Sequence, residues 1–361
     1  MKDKKSIILY KSLMHYVKDT NHLAELCSKL NKSKFLAIDT EFIREKTYWP
    51  KLCLIQVFNG EDKIIIDPLV KGLDLKPFFK ILSNNEIVKI FHSGRQDIEI
   101  FYNLTKKIPK NIYDTQIAAM VCGFGDSIGY ENLVSQLLGK KIDKTSRLTN
   151  WSNRPLSKKQ INYAISDVTH LFEIYPLIKD KIINNKRESW FKEEIRILIS
   201  KKTYDLNPDD SWKRLKYRNL NKNSIGILIE LAKWREIKAQ EKDVPRGNII
   251  RDDAIYELCS AQPKNRDDLN NLRSFNRKGS LRKELIEEII QIIDKGKSIK
   301  KEKLPKIKPL KRLPKGISSK VSILKILLDN ISEEYGVAQK VNQIQDYIYR
   351  KILHLPMVNQ R

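Results

Sequence analysis

Asp39 and Glu41 stand two residues apart at the end of an apolar run, Leu36-Ala37-Ile38-Asp39-Thr40-Glu41-Phe42. In an extended chain residues i and i+2 point to one side, so both carboxylates project from one face. Like charges set together at an apolar strand end repel and lose hydration, a cost that a bound cation removes. A third acid, Asp97, follows the apolar run Ile90-Phe91-His92 where a helical period begins, and a fourth, Asp167, lies four residues after Tyr163 on a longer helical stretch. The i, i+4 spacing places phenol and carboxylate on one helix face. An all-oxygen set suits Mg²⁺ or Mn²⁺ rather than zinc, and two such ions can clamp the attacking and leaving oxygens of a phosphodiester displacement. On this reading Asp39 touches both ions, Glu41 and Asp167 complete the first, Asp97 helps hold the second through water, and Tyr163 orients the attacking water. Each group alone also has a plainer explanation, as a solvated strand end, a helix N-terminal acid or a surface pair. Their order along the chain is what joins them.

The elements that must position these groups follow from periodicity. Lys34 to Ile38, Leu52 to Phe58, Lys63 to Ile66 and Ile87 to Phe91 read as strands, with Asn59-Gly60-Glu61-Asp62 as a hairpin turn. The period then becomes 3.6, through Ile98, Phe101 and Leu104, then Ile117, Ala118 and Val121, then Leu133, Leu137 and Leu138. Ser157 is a natural N-cap for a long helix running through Ile161, Ala164, Ile165, Val168, Leu171 and Phe172. A three-layer α/β domain over residues 1–200 is expected. Asn207-Pro208-Asp209-Asp210 forms a joint, and helical periods dominate residues 211–295. A second joint, 296–316, holds three prolines and nine Lys or Arg against one Glu, and a short helical region follows over 317–361.

Longer matches accompany the acids. Asp39-Thr40-Glu41-Phe42-Ile43-Arg44-Glu45-Lys46-Thr47-Tyr48-Trp49-Pro50 through Gln56, His92-Ser93-Gly94-Arg95-Gln96-Asp97, and Trp151-Ser152-Asn153-Arg154-Pro155-Leu156 followed by Gln160, Tyr163 and Asp167 resemble the three motifs of the DEDD exonucleases. Within that superfamily they resemble the Tyr-containing branch, and within that branch the ribonuclease D family. The resemblance implies an RNase H-like α/β fold, a mixed sheet flanked by helices, with Asp39, Glu41, Asp97 and Asp167 as metal ligands and Tyr163 as a fifth catalytic residue. It also implies two divalent ions and trimming of RNA 3′ ends, with tRNA precursors the usual substrate class. Asn150 stands where the third motif leads one to expect Asp, outside the acid set. Among neighbouring residues, Phe42, Tyr48 and Trp49 either stack on terminal bases or line the core. Arg44, Lys46 and Arg95 either meet phosphates or are solvated charges, and His92 is either a substrate contact or a structural histidine.

Leu231-Ala232-Lys233-Trp234-Arg235-Glu236, the Val244-Pro245-Arg246 turn, Asp252-Asp253 and Gln262-Pro263 resemble the HRDC domain, an all-α helical bundle that binds nucleic acid. Residues 317–347 resemble the opening of a second such domain, so 317–361 is expected as a partial copy. The net charge of +25 points to a polyanion partner. Residues 1–200 carry 33 basic and 23 acidic side chains and residues 201–361 carry 36 and 21, so the rear is the more basic. A general enrichment in lysine is the alternative.

Other classes recede. Four separated cysteines and five histidines make no zinc pattern. No run approaches the roughly 20 apolar residues of a spanning helix, so no membrane association and a cytoplasmic location are expected. No G-x₄-G-K-[ST] loop is present to cradle ATP phosphates, so no nucleotide cofactor is expected. The rivals left are a 3′→5′ DNA exonuclease, which the same metal site would serve, and a catalytically silent RNA-binding scaffold, which would have lost at least one acid.

Overall fold

The computed structural model describes residues 13–143, 145–216, 224–275, 283–300, 302, 304–305 and 317–341. The basic N-terminal segment, most of the 296–316 joint and residues 342–361 lie outside them. The chain divides into two units, one of residues 1–43, 51–204 and 315–361, the other of residues 44–50 and 205–314.

The first unit is built on a mixed six-stranded sheet. Its strands are β1 (Leu13–Val17), β2 (Phe35–Ile43), β3 (Lys51–Phe58), β4 (Asp62–Ile66), β5 (Val88–Phe91) and β6 (Ile112–Asp114), in the order β1-β4-β3-β2-β5-β6. Strands β2, β3 and β4 pair antiparallel; β1 joins β4, β5 joins β2 and β6 joins β5, in parallel. Helices α1 (Thr20–Leu30), α2 (Lys76–Ser83) and α3 (Arg95–Thr105) cover one face. Helices α4 (Thr115–Val121), α5 (Tyr130–Leu138) and α6 (Lys158–Asn184) cover the other, and α7 (Glu188–Leu198) and α8 (Lys201–Tyr204) complete the series. Alternation on β2 and β3 explains the layering. Leu36, Ile38, Ile55 and Val57 pack under α1–α3, whereas Ala37, Leu54 and Phe58 face α4–α6.

The mixed sheet flanked by helices matches the expected α/β class. Two strands were illegible in the sequence. Strand β1 is a partly exposed edge with no clean alternation, and β6 has three residues, too few for a period. Strand β2 also runs past the acids to Ile43, so Asp39 and Glu41 sit inside the ladder instead of closing it. A register shift between Glu41 and Phe42 marks a bulge, a device that re-aims side chains beside functional sites. In the β3–β4 turn, Asn59 Oδ1 accepts from the backbone of Glu61 and Asp62 at 2.9 and 2.7 Å. Gly60 there has φ of 101°, and a Cβ would meet Phe172 at 2.8 Å, so both conformation and space demand glycine.

The second unit is helical: a 3₁₀ turn (Pro208–Arg214), α9 (Ile225–Glu241), α10 (Arg246–Ile249), α11 (Asp252–Ala261), α12 (Arg266–Asn270) and α13 (Lys283–Ser298). Helix α9 is the central member, with Ile227, Leu228, Leu231 and Ala232 buried among Ile255, Leu258, Ile286 and Ile289 and with the charged Arg235 and Glu236 buried as well. The W-R-E, P-R and D-D signals acquire a structural reason here. Arg235 pairs with Asp252 at 2.6 Å, and Arg246 and Arg214 converge on the buried Glu236.

Residues 317–335 form α14 (Ile317–Tyr335), which belongs with the first unit. Leu324, Leu328, Ile331, Val337 and Val341 pack on Met120 and Val121 of α4, and the Ala338 amide donates to Met120 O at 3.0 Å. Arg187 donates to Val121 O and Gly336 O at 2.8 and 2.9 Å. The expected start of a second bundle is, over its described part, one helix and a turn seated on the α/β unit. Its apolar period was legible; what it packs against was not.

Candidate active site

Ile38 and Thr40 hold the buried face of β2, which turns Asp39 and Glu41 to the α6 side. Asp167 comes down from α6, whose start is fixed by a reciprocal capping box in which Ser157 accepts from Gln160 N and Gln160 Oε1 accepts from Ser157 N. One oxygen from each of Asp39, Glu41 and Asp167 lies within 4.8 Å of the others. Asp97, in the first turn of α3, is tied to the same place by a hydrogen bond donated from the Thr40 hydroxyl. A cavity of about 390 Å³ opens beside them, lined by Asp39, Asp97, Tyr163 and Asp167 and also by Phe42 and His92.

The electrostatics are those of a cation site. Burial raises the Asp39 carboxyl well above the usual range, and the charges of Asp97, Asp167 and Glu41 raise it further. Burial, then Asp167 and Asp97, push Glu41 up to about 9. Asp97 and Asp167 rise to about 6 and about 7, again through burial first, with hydrogen bonds from Thr40 and Tyr163 opposing. Asp167 Oδ1 is buried with no hydrogen-bond partner among the described residues. Four crowded, desolvated carboxylates with an orphan oxygen fit a hard divalent cation. The Tyr163 hydroxyl is held protonated, since burial and then the Asp167 charge raise it far above its ordinary value.

The structure brings Asp39, Glu41, Asp97, Tyr163 and Asp167 together. Of the other candidates, Phe42 lines the cavity while packing on the core. His92 lines it too, with Nδ1 3.0 Å from the Thr115 hydroxyl and its ring 5.2 Å from that of Tyr130. Arg95, in the first turn of α3, does not line the cavity. Arg44, Lys46, Tyr48 and Trp49 fall in the 44–50 segment of the second unit. Tyr48 there is 3% exposed, hydrogen-bonded to Glu236 and Arg246, which leaves no face for a base. Asn150 accepts from Ser152 N and Oγ at 2.9 and 2.6 Å, a turn that an amide oxygen closes as well as a carboxylate would.

Several supporting residues escaped sequence reasoning. Asp114 caps α4 and also accepts from Ser93 N and Gly94 N at 3.1 and 2.8 Å, which fixes the turn into α3 and so Asp97. An acid before a Thr at a helix start was the available signal. Tyr130 donates to the Asp167 carbonyl. Arg154 clamps Asp67 with two bonds, 2.6 and 2.7 Å, and donates to Cys53 O and Trp151 O. The R-P-L signature thus pins the loop before α6 to β3.

A mixed sheet carrying two acids on its central strand, a third at the next strand-to-helix turn and a Tyr–Asp pair on the closing helix defines a 3′→5′ exonuclease. Comparison with known proteins agrees. Residues 14–183 match the 3′-5′ exonuclease domain family, and residues 225–293 match the HRDC domain. The chain is 40% identical over 332 residues to ribonuclease D of Bartonella henselae, covering 92% of this chain and 82% of that protein. It is 39% identical over 337 residues to ribonuclease D of Nitrobacter hamburgensis, covering 93% and 88%. Among solved structures, Escherichia coli RNase D, described as an exoribonuclease involved in structured RNA processing, superposes with a TM-score of 0.82 at 28% identity, covering 96% of this chain and 92% of that one. The catalytic core of RRP6 from Trypanosoma brucei shares the fold, at a TM-score of 0.60 and 20% identity over 80% of each chain. The chain belongs to the ribonuclease D family. It is a hydrolase, a 3′→5′ exoribonuclease acting on RNA, and the family implies a divalent metal. Among the described residues no helix is long and apolar enough to cross a membrane.

Proposed function

We propose that this protein trims the 3′ ends of structured RNA in the cytoplasm, tRNA precursors foremost, by hydrolysis assisted by two divalent ions, Mg²⁺ or Mn²⁺. The observation that carries this reading is the convergence of Asp39, Glu41 and Asp167 oxygens within 4.8 Å, with Asp97 alongside. Asp39, Glu41, Asp97 and Asp167 would hold the ions. When bound, such cations neutralise phosphodiester charge and acidify a coordinated water. The chain's own residues supply the rest. Tyr163, kept protonated, orients the attacking water by its hydroxyl. Thr40 aims Asp97, and Tyr130 and the Ser157–Gln160 box hold the Asp167 helix in place. We take residues 1–200 as the exonuclease domain and 211–295 as the HRDC domain, the basic rear of the chain serving to grip RNA.

The test is purified protein with 5′-labelled tRNA precursor, unstructured RNA and matched DNA, with and without EDTA. Stepwise shortening of RNA from the 3′ end, abolished by EDTA and by Asp39→Ala or Asp167→Ala, is the expected result. Near-normal hydrolysis by either variant in Mg²⁺ would refute the site, and preferential degradation of DNA would refute the substrate.

A further inference from the structure

Among the described residues, the lining of the acid cavity holds one Lys or Arg, Arg147. No motif pointed to it, and it lies nine residues beyond the end of α5 at Leu138. Its charge is among the influences that lower Glu41 and Asp167.

The turn that carries Arg147 is built rather than loose. Ser146 is buried, at 5% exposure. Thr149 bonds back to Ser146 O through its amide and its hydroxyl, at 3.2 and 2.7 Å. Gln160 Nε2 then donates to the Thr149 hydroxyl at 3.1 Å. Gln160 is the same residue whose Oε1 closes the capping box of α6. The turn bearing Arg147 is therefore tethered to the start of the helix that presents Tyr163 and Asp167, and the cation is placed by the element that places the acid.

A phosphodiester entering four carboxylates needs donors for the non-bridging oxygens that the acids cannot provide. Guanidinium is suited to this, being planar, permanently charged and able to engage phosphate oxygens with two parallel N–H bonds. We propose that Arg147 is a catalytic residue that grips a non-bridging oxygen of the terminal phosphodiester and stabilises the charge that develops there during displacement. This rests on the site reading given under Proposed function. In the step it assists, a water oxygen bonds to phosphorus as the P–O3′ bond breaks. The electron pair and a proton go to the O3′ of the shortened chain, and a nucleoside 5′-monophosphate leaves.

The experiment compares the full-length chain with Arg147→Ala, Arg147→Lys and Asp39→Asn. It measures single-turnover hydrolysis of RNA, Mn²⁺ binding by calorimetry, AMP binding in the presence of Mn²⁺, and the thermal midpoint. Arg147→Ala should lose roughly 10²–10³-fold in rate, as for loss of one preorganised donor to a transition-state oxygen. It should bind AMP at least about tenfold more weakly, and Arg147→Lys should recover part of both losses. Mn²⁺ should bind Arg147→Ala as tightly as the parent or more so, because the carboxylates lose a neighbouring cation, and the thermal midpoint should hold. An Arg147→Ala rate within threefold of the parent, or a rate loss that tracks weakened Mn²⁺ binding or a lowered midpoint, overturns the proposal. Asp39→Asn separates the two claims. If it is inactive while Arg147→Ala is fully active, only the arginine's role falls; if it is active, the metal site itself falls.

Discussion

Asp39 and Gln56 are direct partners across the β2–β3 ladder, so their side chains share one face of the sheet. Gln56 is fully buried, and neither its amide nitrogen nor its oxygen finds a partner among the described residues. A polar group in that position raises the cost of folding, and removing it without changing shape lowers that cost.

Gln56→Leu should therefore leave the metal-free protein as stable as the parent or about 1 kcal/mol more so. Calorimetry in EDTA reads this directly, and a loss above about 2 kcal/mol would show that the amide is satisfied in the folded protein.

The raised carboxyls fix a pH dependence. Glu41 near 9, Asp167 near 7 and Asp97 near 6 all exceed the unfolded values near 4. A folded-state value above the unfolded one contributes stability that is present below pH ~4 and lost as pH rises through the folded value. In EDTA the melting temperature should fall as pH climbs from 5 to 9, other groups held equal. Saturating Mg²⁺ should flatten that slope, and metal affinity should increase with pH because protons and cation compete. A flat profile in EDTA would contradict the crowding of these acids.

Arg154 and Asp67 form an ion pair whose carboxylate is 2% exposed; burial raises the Asp67 carboxyl, but hydrogen bonds from Arg154 and Tyr16 outweigh it and hold the group below the usual carboxylate range, ionised. Arg154→Leu strands that charge, and roughly 3 kcal/mol of unfolding free energy should be lost, by analogy with other broken buried pairs. Urea titration tests this; a loss under 1 kcal/mol would mean that the loop before α6 has other anchors.

Tyr48 and Glu236 give the opposite lesson about an aromatic in a motif. Burial pushes Glu236 up, but hydrogen bonds from Arg246 and Tyr48 and the Arg246 charge bring it down to about 2. Tyr48→Phe should cost about 1–3 kcal/mol of stability by removing a donor to that carboxylate, while leaving RNA affinity unchanged. Filter binding that weakens tenfold in a fully folded Tyr48→Phe variant would restore Tyr48 as a substrate contact.

What the sequence made legible follows from range. Asp39-x-Glu41, Tyr163-x₃-Asp167 and the Ser157 cap are local patterns; α6 formed where the period placed it, and β2 formed there too but runs on to Ile43. Gln56, Asp114, Tyr130 and Arg147 act through contacts between distant segments, which no local period encodes. Tyr48 and Trp49 illustrate the converse. Their place beside the acids in sequence suggested a place beside them in space, yet the chain turns after Ile43 and gives them to another core.

The close approach of Gly123 and Gly336 bears on how this protein can be shortened. A Cβ on Gly123 would stand 2.4 Å from Gly336 O, so a single methyl group there should prise α14 and the turn after it off their seat. Ending the chain at Pro314, a natural choice just past the helical bundle, would do the same more completely. Met120 and Val121 would then face water, and a truncated enzyme prepared for convenience should prove sticky in solution for reasons unconnected with its chemistry.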